Sequence, residues 1–144
     1  MSQAPVHYIR LRTFCYSTEK LKRVKKALSF FLPKDNEIET EEIEGNFGNK
    51  YFLLKSKIEK SREIRLLVDF LKNNLTTTRY REIKKEIPDR INEECSFYLR
   101  FDKQKAYKKQ LEPTSSGDFV VLRFKVKAYP AKKKNAINKI KQFL

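Results

Sequence analysis

The sequence has little of several residues whose abundance marks particular classes of protein. Its 144 residues include only three Gly and five Pro, which excludes collagen-like, linker and low-complexity chains. The longest apolar runs, at 51–54 and 119–122, are far shorter than the ~20 residues that cross a bilayer, so we expect no membrane association. No apolar segment follows a charged start, which predicts that no secretory signal is present.

Metal ligands and catalytic nucleophiles are also scarce. One His and two Cys cannot supply the roughly four ligands of a zinc site, so we predict neither a metal nor a cofactor. Two isolated cysteines predict no disulfide framework and favour a cytoplasmic location. His7 and Cys15 fall on the apolar row of a predicted strand, where a core histidine and a small buried thiol are expected. The sequence offers no catalytic residues and predicts a protein that is not an enzyme.

Positive charge is what the sequence has in excess. Thirty-three Lys and Arg against eighteen Asp and Glu give a net charge of +15, which attracts polyanions. Residues 1–34 carry +7, residues 35–102 carry −2, and residues 103–144 carry +10. Basic ends around a near-neutral middle favour a nucleic acid as partner. A Lys/Glu-rich chain of a heat-adapted organism is the alternative, but it does not account for so large an excess of one sign.

Hydrophobic periodicity predicts an α+β fold in one domain, residues 1–144. We expect a mixed or antiparallel sheet with helices packed on one face. The predicted strands are 6–16, 37–44, 51–58, 96–101 and 119–129. Helices are predicted between the first two strands up to Pro33, from Ser61, at 78–86, at 103–111 and after Pro130.

Local signals predict how these elements begin and turn. Ser17 or Thr18 and Ser61 are expected to cap helices, and Pro130 is expected to open the last one. Thr40 and Ile43, both expected to face inward, have an odd spacing that predicts a bulge in the second strand. The turn 45–49 and the loop 113–117 complete the pattern, with Gly45 and Gly48 expected at positive φ.

The second row of side chains on four predicted strands mixes cations with aromatics. Alternation places Arg10 and Arg12 beside Tyr8, Phe14 and Tyr16, and the same mixture recurs around residues 51–57, 98–100 and 119–129. Such a face can stack on unpaired bases while it neutralises phosphates. The alternative is that the aromatics pack under a loop or a second subunit while the cations reach solvent.

The candidate RNA-binding residues combine this row with two basic segments. Asp102 is expected to cap the helix that follows it, which would direct the next two side chains toward RNA. Three lysines at the start of the last helix oppose the helix dipole and are therefore better explained by binding than by helix stability. The full set is Tyr8, Arg10, Arg12, Tyr98, Arg100, Lys103, Gln104, Arg123, Lys125, Lys127, Tyr129, Lys132, Lys133 and Lys134.

Three strings carry a resemblance to a known family: EGNFGN at 44–49, YLRFDKQKAY at 98–107 and KAYPAK at 127–132. In this order and spacing they resemble an archaeal family of predicted RNA-binding proteins described as candidate exosome-associated subunits. The resemblance implies a fold similar to that of the ribosomal protein that binds 5S rRNA, and a non-catalytic role. It assigns Gly45, Gly48 and Asn49 to the turn, Asp102 to Gln104 to a strand–helix junction, and Tyr129 and Pro130 to the final corner. Lys105 stands where relatives often have a small residue.

The sequence therefore predicts a non-catalytic, cytoplasmic RNA-binding protein that acts in RNA processing or a ribosome-related assembly. The alternative is a protein–protein interaction subunit of an RNA-processing complex, whose outer sheet face is a subunit interface. RNA is the expected partner. Protein subunits of such a complex, and a homodimer, stay open as further partners.

Overall fold

A computed structural model describes residues 4–45, 48–115 and 117–144 of the chain. Strands and helices follow one another without strict alternation, as an α+β fold requires. The strands are β1 (Val6–Cys15), β2 (Glu39–Glu44), β3 (Lys50–Ile58), β4 (Ser96–Asp102) and β5 (Phe119–Val126). The helices are α1 (Leu21–Ser29), α2 (Ser61–Asn74), α3 (Thr77–Lys85), α4 (Ile87–Arg90), α5 (Lys103–Tyr107) and α6 (Lys133–Phe143).

The strands form one antiparallel sheet in the order β2-β3-β1-β5-β4, which confirms the predicted fold class. β2 pairs with β3 in a continuous register, from Glu39 opposite Lys55 to Glu44 opposite Lys50. The predicted bulge in β2 is therefore wrong. Thr40, expected to face inward, is exposed, because no residue of the edge strand β2 is buried and neither of its faces packs on the core.

Contacts between Cα atoms divide the chain into two compact units. Unit 1 holds the chain up to Ile9, Ile58–Leu99 and Leu122–Leu144; unit 2 holds Arg10–Lys57 and Arg100–Val121. In unit 1 the predicted apolar stripe of α2 is buried, and the Phe97 and Phe124 rings lie 5.5 Å apart. In unit 2 α1 buries Val24 and Leu28, and the Phe31 ring lies 5.5 Å from that of Phe101. The single predicted domain stays a prediction.

Alternation along the strands is largely as predicted, with one phase error. Leu11, Thr13 and Cys15 are buried between exposed neighbours in β1, and β5 buries every second residue from Val120 to Val126. Val121, predicted on the opposite row of β5, is buried as well. Val6 and Ile9 are both buried, so the alternation shifts at the start of β1 and His7 is exposed. The prediction of a core histidine is therefore wrong, because a shift of one position moves a side chain to the other face.

The predicted helix starts are mostly wrong in detail. α1 and α2 have Lys20 and Lys60 at their N-cap positions, and neither helix has a side-chain cap. Ser61 lies inside α2, and its hydroxyl accepts a hydrogen bond from the backbone N–H of Ala4 at 3.2 Å. α6 begins at Lys133, so Pro130 lies before the helix rather than opening it.

The turn between β2 and β3 is described only in part, because Asn46 and Phe47 lie outside the described residues, as does Ser116 of the predicted loop 113–117. Gly48 has a φ of +75°, as predicted. Gly45 is not among the glycines with positive φ. A Cβ atom there would lie 3.1 Å from the Tyr51 ring, so its small size is what the packing requires.

Candidate nucleic-acid interface

The predicted cations of β5 lie in unit 1 and are partly held by neighbouring groups. Arg123 donates from Nε to the Ser96 hydroxyl at 3.1 Å, and Lys125 donates from Nζ to the carbonyl of Glu94. Both side chains are half-buried, as is Lys127. These cations lie on the predicted row, but the first two also stabilise the beginning of β4.

The remaining predicted residues of unit 1 differ in exposure. Tyr8 and Tyr98 are half-buried, and the Tyr98 hydroxyl accepts a hydrogen bond from Asn92 at 3.4 Å. Tyr129 is 97% exposed, the highest value for a large apolar side chain among the described residues. Lys132 and Lys134 are exposed and Lys133 is half-buried, so these three lysines lie at the surface near the start of α6.

In unit 2 the outer row of β1 brings cations and aromatics together. Arg10, Arg12 and Phe14 are exposed and alternate with the buried residues of the strand, and Tyr16 continues the row beyond its end. Arg100 is half-buried, with its guanidinium 5.5 Å from the centroid of the Phe119 ring. This is the arrangement that the alternation predicted, and it lies within one unit.

Three rings form an aromatic cluster at the end of β1: Phe14, Tyr16 and Tyr51. The centroid of the Phe14 ring lies 5.8 Å from that of Tyr51 and 6.4 Å from that of Tyr16. The two tyrosine rings are 6.5 Å apart. A recess of about 270 Å³ adjoins the cluster and is lined by both tyrosines and by Ser17, Gly45, Asn49 and Lys50. Tyr51 on β3 completes the cluster. The sequence alone does not predict that its ring lies beside those of Phe14 and Tyr16.

Lys103 contradicts its predicted role as an RNA contact. Its side chain is buried, and Nζ lies 2.7 Å from the Phe14 carbonyl, 2.6 Å from Glu19 Oε1 and 2.9 Å from Asp118 Oδ1. The ammonium has three donors, and these three acceptors use them all. Lys103 is therefore a structural cation inside unit 2 and does not point toward a ligand at the surface.

The pKa values of two side chains near Lys103, Glu19 and Cys15, are shifted. Burial alone would raise the pKa of Glu19, but hydrogen bonds from Lys103 and from the Tyr16 backbone N–H outweigh it and lower that pKa. Burial, and then the charge of Glu19, raise the pKa of the Cys15 thiol. Cys15 is therefore a protonated, buried thiol and not an activated nucleophile.

The junction between β4 and α5 is close to its prediction. Asp102 caps α5 by accepting a hydrogen bond from the Lys105 backbone N–H at 2.9 Å, which confirms the predicted cap. Gln104 is exposed, but its amide nitrogen lies 3.3 Å from carboxylate oxygens of both Glu19 and Asp118. Its amide donors are directed at protein carboxylates in this structure.

A second basic surface, which the candidate set did not include, lies on two helices of unit 2. α1 packs against α5, and the exposed cations on and beside these helices form what we call the basic helix surface. The guanidinium of Arg23 lies 5.0 Å from the centroid of the half-buried Tyr107 ring. The cations of the basic helix surface are Lys20, Lys22, Arg23, Lys25, Lys26, Lys105, Lys108 and Lys109. The helical spacing of the α1 lysines indicates a basic face on that helix. Nothing in the sequence predicts that α1 packs against α5.

Neither a metal site nor a membrane span appears in the described parts of the chain. Among residues 4–45, 48–115 and 117–144, no three His, Cys, Asp or Glu side chains group closely enough to hold a metal ion. No helix within the same residues is both long and apolar enough to cross a bilayer.

Comparisons with known proteins agree on one family. Residues 8–127 match the family described as RNA binding. The chain is 35% identical to RNA-binding protein PAB1135 of Pyrococcus abyssi, over 96% of this chain and 93% of that protein. The crystal structure of protein AF2318 from Archaeglobus fulgidus superposes with a TM-score of 0.87 at 29% identity, over 96% of this chain and 99% of the other. The structure of Mth689 from Methanothermobacter thermautotrophicus superposes with a TM-score of 0.82 at 32% identity, over 96% of this chain and 98% of the other. The matched family and the Pyrococcus protein are named for RNA binding, and neither name refers to a reaction. The chain belongs to the archaeal family described as RNA binding.

Proposed function

We propose that this protein binds RNA through phosphate contacts from exposed cations beside exposed aromatic rings, and catalyses no reaction. One observation carries the proposal: Arg10, Arg12, Phe14 and Tyr16 share the exposed row at and beyond β1 in unit 2. Arginines supply charge and planar donors for phosphate, and the aromatic rings supply stacking surfaces. The basic helix surface lacks an exposed aromatic ring among its described residues, so we treat it as a solvated face that adds to the field.

The residues of unit 1 enter the proposal as further contacts. Tyr129 and the lysines 132–134 are at the surface, where they can reach a phosphate or a base. Arg123, Lys125 and Lys127 retain part of their exposed surface, although the first two also hold neighbouring groups. Tyr8, Tyr98, Arg100 and Gln104 stay predicted contacts.

The cellular role is a finer part of the proposal. The family and the Pyrococcus relative named for RNA binding support an RNA partner. We infer a role in RNA processing, including association with an exosome, or in a ribosome-related assembly. Two buried, unbridged cysteines, Cys15 and Cys95, fit a reducing cytoplasm. The likeness to the 5S-rRNA-binding ribosomal protein belongs to this proposal as well.

A paired charge reversal tests the site. Arg10→Glu/Arg12→Glu and Lys22→Glu/Lys25→Glu each lower the net charge from +15 to +11, and all four side chains are exposed. If phosphate contacts are made by the β1 row, the first variant loses at least tenfold in RNA affinity and the second loses much less. Equal losses would mean that only the overall field matters.

Folding must be monitored in the same experiment. Glu has a lower strand propensity than Arg on β1, whereas α1 accepts Glu readily. Thermal melts of both variants therefore accompany the titrations. If the wild type binds no RNA but self-associates or captures a protein subunit, the exposed aromatics are an interface and the alternative function holds.

A further inference from the structure

The aromatic cluster has a feature that phosphate binding does not use: two of its rings are open to solvent beside a recess. We propose that Phe14, Tyr16 and Tyr51 form a binding site for an unpaired RNA base. The inference rests on the proposed function and narrows its substrate to RNA with single-stranded or looped nucleotides.

The exposure of these rings is unusual for this chain. Among the described residues only four large apolar side chains are exposed, and two of these are Phe14, at 37%, and Tyr16, at 47%. They lie next to each other on one row, so they form a continuous apolar patch rather than scattered exposed residues. Contiguous exposed apolar patches mark interaction sites more often than single exposed residues do.

The rings are also held in place before any ligand arrives. All three distances between ring centroids fall between 5.8 and 6.5 Å, inside the range of favourable aromatic pairs. Tyr51 is half-buried and supports the other two from β3. Stacking on a prearranged ring avoids the entropy of ordering it, which favours binding.

Lys103 positions the two exposed rings from inside unit 2. Its side chain is buried, and its ammonium donates to the carbonyl of Phe14 and lies 4.9 Å from the centroid of the Tyr16 ring. Because Glu19 and Asp118 fix the ammonium in turn, the backbone of Phe14 and the ring of Tyr16 share one rigid support. Lys103 is thus a positioning residue rather than a ligand contact.

The recess gives the site its size and its chemistry. At about 270 Å³ it is near the lower end of small-molecule pockets, which suits one base rather than a larger ligand. Lys50 at its rim pairs with Glu42 at 3.4 Å, but both side chains are mostly exposed, and such surface pairs contribute little. Lys50 is therefore available to a phosphate next to the bound base.

An unpaired base is the occupant that these features favour. In an RNA duplex the base faces are stacked on one another and cannot reach a protein ring, whereas unpaired bases can be splayed out onto aromatics. The exposed arginines of the same row, Arg10 and Arg12, give the adjoining backbone a place to lie. A protein partner would gain less from a row of cations leading to the patch.

A fluorescent variant tests the site directly. Because the chain contains no Trp, Tyr16→Trp introduces a single indole into the cluster. We expect a single-stranded RNA of about 12 nucleotides to quench its emission on binding, and a duplex of the same length to leave it nearly unchanged. Equal responses to both RNAs would overturn the base site.

Affinity measurements with a second variant test the base site independently. Phe14→Leu/Tyr16→Leu keeps the apolar character but removes the π faces, so we expect a loss of about tenfold or more for the single strand and almost none for the duplex. Tyr16→Phe keeps the ring and should bind like the wild type. Unchanged affinity in the double Leu variant, or equal losses on both RNAs, would contradict the proposal.

The two proposals fail in different ways. If Arg10→Glu/Arg12→Glu weakens RNA binding while the double Leu variant does not, RNA binding by this row stands and the base site is wrong. If the wild type binds neither RNA, the proposed function itself is wrong. The Trp variant keeps the base site testable even if the double Leu variant is found by thermal melting to be unfolded.

Discussion

Lys103 is a buried ammonium whose partners come from three separate parts of unit 2. Its neighbours Glu19 and Asp118 are carboxylates, and removing the ammonium would leave both without their shared cation. Removing one partner of a buried ion pair is far more destabilising than replacing the whole pair with apolar residues. The residue that looked in the sequence like a surface cation is thus a determinant of stability.

We therefore predict that Lys103→Met lowers the free energy of unfolding by about 1–3 kcal/mol, because the Glu19 and Asp118 side chains keep 19% and 33% of their surface exposed. Lys105→Met is the matched control, since it removes an exposed lysine from the same helix and should stay within about 0.5 kcal/mol of the wild type. Urea denaturation of the three proteins measures the difference. A loss in Lys103→Met no larger than that of the control would show that the ammonium is dispensable.

The lowered pKa of Glu19 makes the same cluster sensitive to acid. Its pKa in the folded state is lowered from the ordinary value of 4.5, so the ionised side chain stabilises the folded state. That contribution is fully present above the unfolded pKa and is lost as the pH falls through the folded pKa. We predict that the stability difference between wild type and Glu19→Gln is constant near neutral pH and shrinks below about pH 4.5. Urea unfolding at a series of pH values measures it, and a constant difference down to the lowest pH would contradict the assignment.

At the scale of elements, the strand rows and the apolar stripes of the helices follow from the sequence. The burial of Ile64, Leu67, Val68 and Leu71 in α2 was predictable because helical periodicity is a local property. The phase of β1 at His7 and the register of β2 were not, because they depend on neighbours that are distant in the sequence. The same holds for the candidate site. The exposed positions of Arg10 and Arg12 were predictable from alternation along the strand. The position of Tyr51 beside Phe14 and the burial of Lys103 were not, because they depend on the tertiary structure.

The N-cap position of α1 is occupied by a lysine, a residue type that is unfavourable there. Lys20 has the extended backbone of an N-cap, but its side chain makes no capping hydrogen bond, and no acidic residue lies in the first turn. We predict that Lys20→Asp raises the free energy of unfolding by about 1 kcal/mol, since an Asp at this position accepts a backbone N–H and favours the helix dipole.

The control for this variant is Lys25→Asp, which makes the same charge change in the interior of α1. It gains no cap and should be neutral or slightly destabilising. Thermal and urea unfolding compare the two. If both variants were equally stabilised, the cause would be relief of charge repulsion among the lysines of α1. The prediction that a new N-cap stabilises the helix would then be wrong.

At the scale of the whole molecule, the net charge of +15 favours phosphate contacts, and the number of those contacts decides how RNA binding responds to salt. Each phosphate contact releases condensed counterions, so the logarithm of the association constant falls linearly with the logarithm of salt concentration, by ~0.7–0.9 per contact. We predict a steep slope that corresponds to several contacts, measured by fluorescence anisotropy at a series of salt concentrations. A flat titration would contradict phosphate-led binding.

The slope of affinity against salt concentration also distinguishes phosphate contacts from stacking contacts. Arg10→Glu/Arg12→Glu removes two candidate phosphate contacts and should make the slope shallower by roughly 1.4–1.8. Phe14→Leu/Tyr16→Leu removes stacking but no charge, so its affinity for a single strand should fall in parallel at every salt concentration with the slope unchanged. If the Leu variant instead flattened the slope, the rings would be holding the cations in place, and the division of labour along β1 would be wrong.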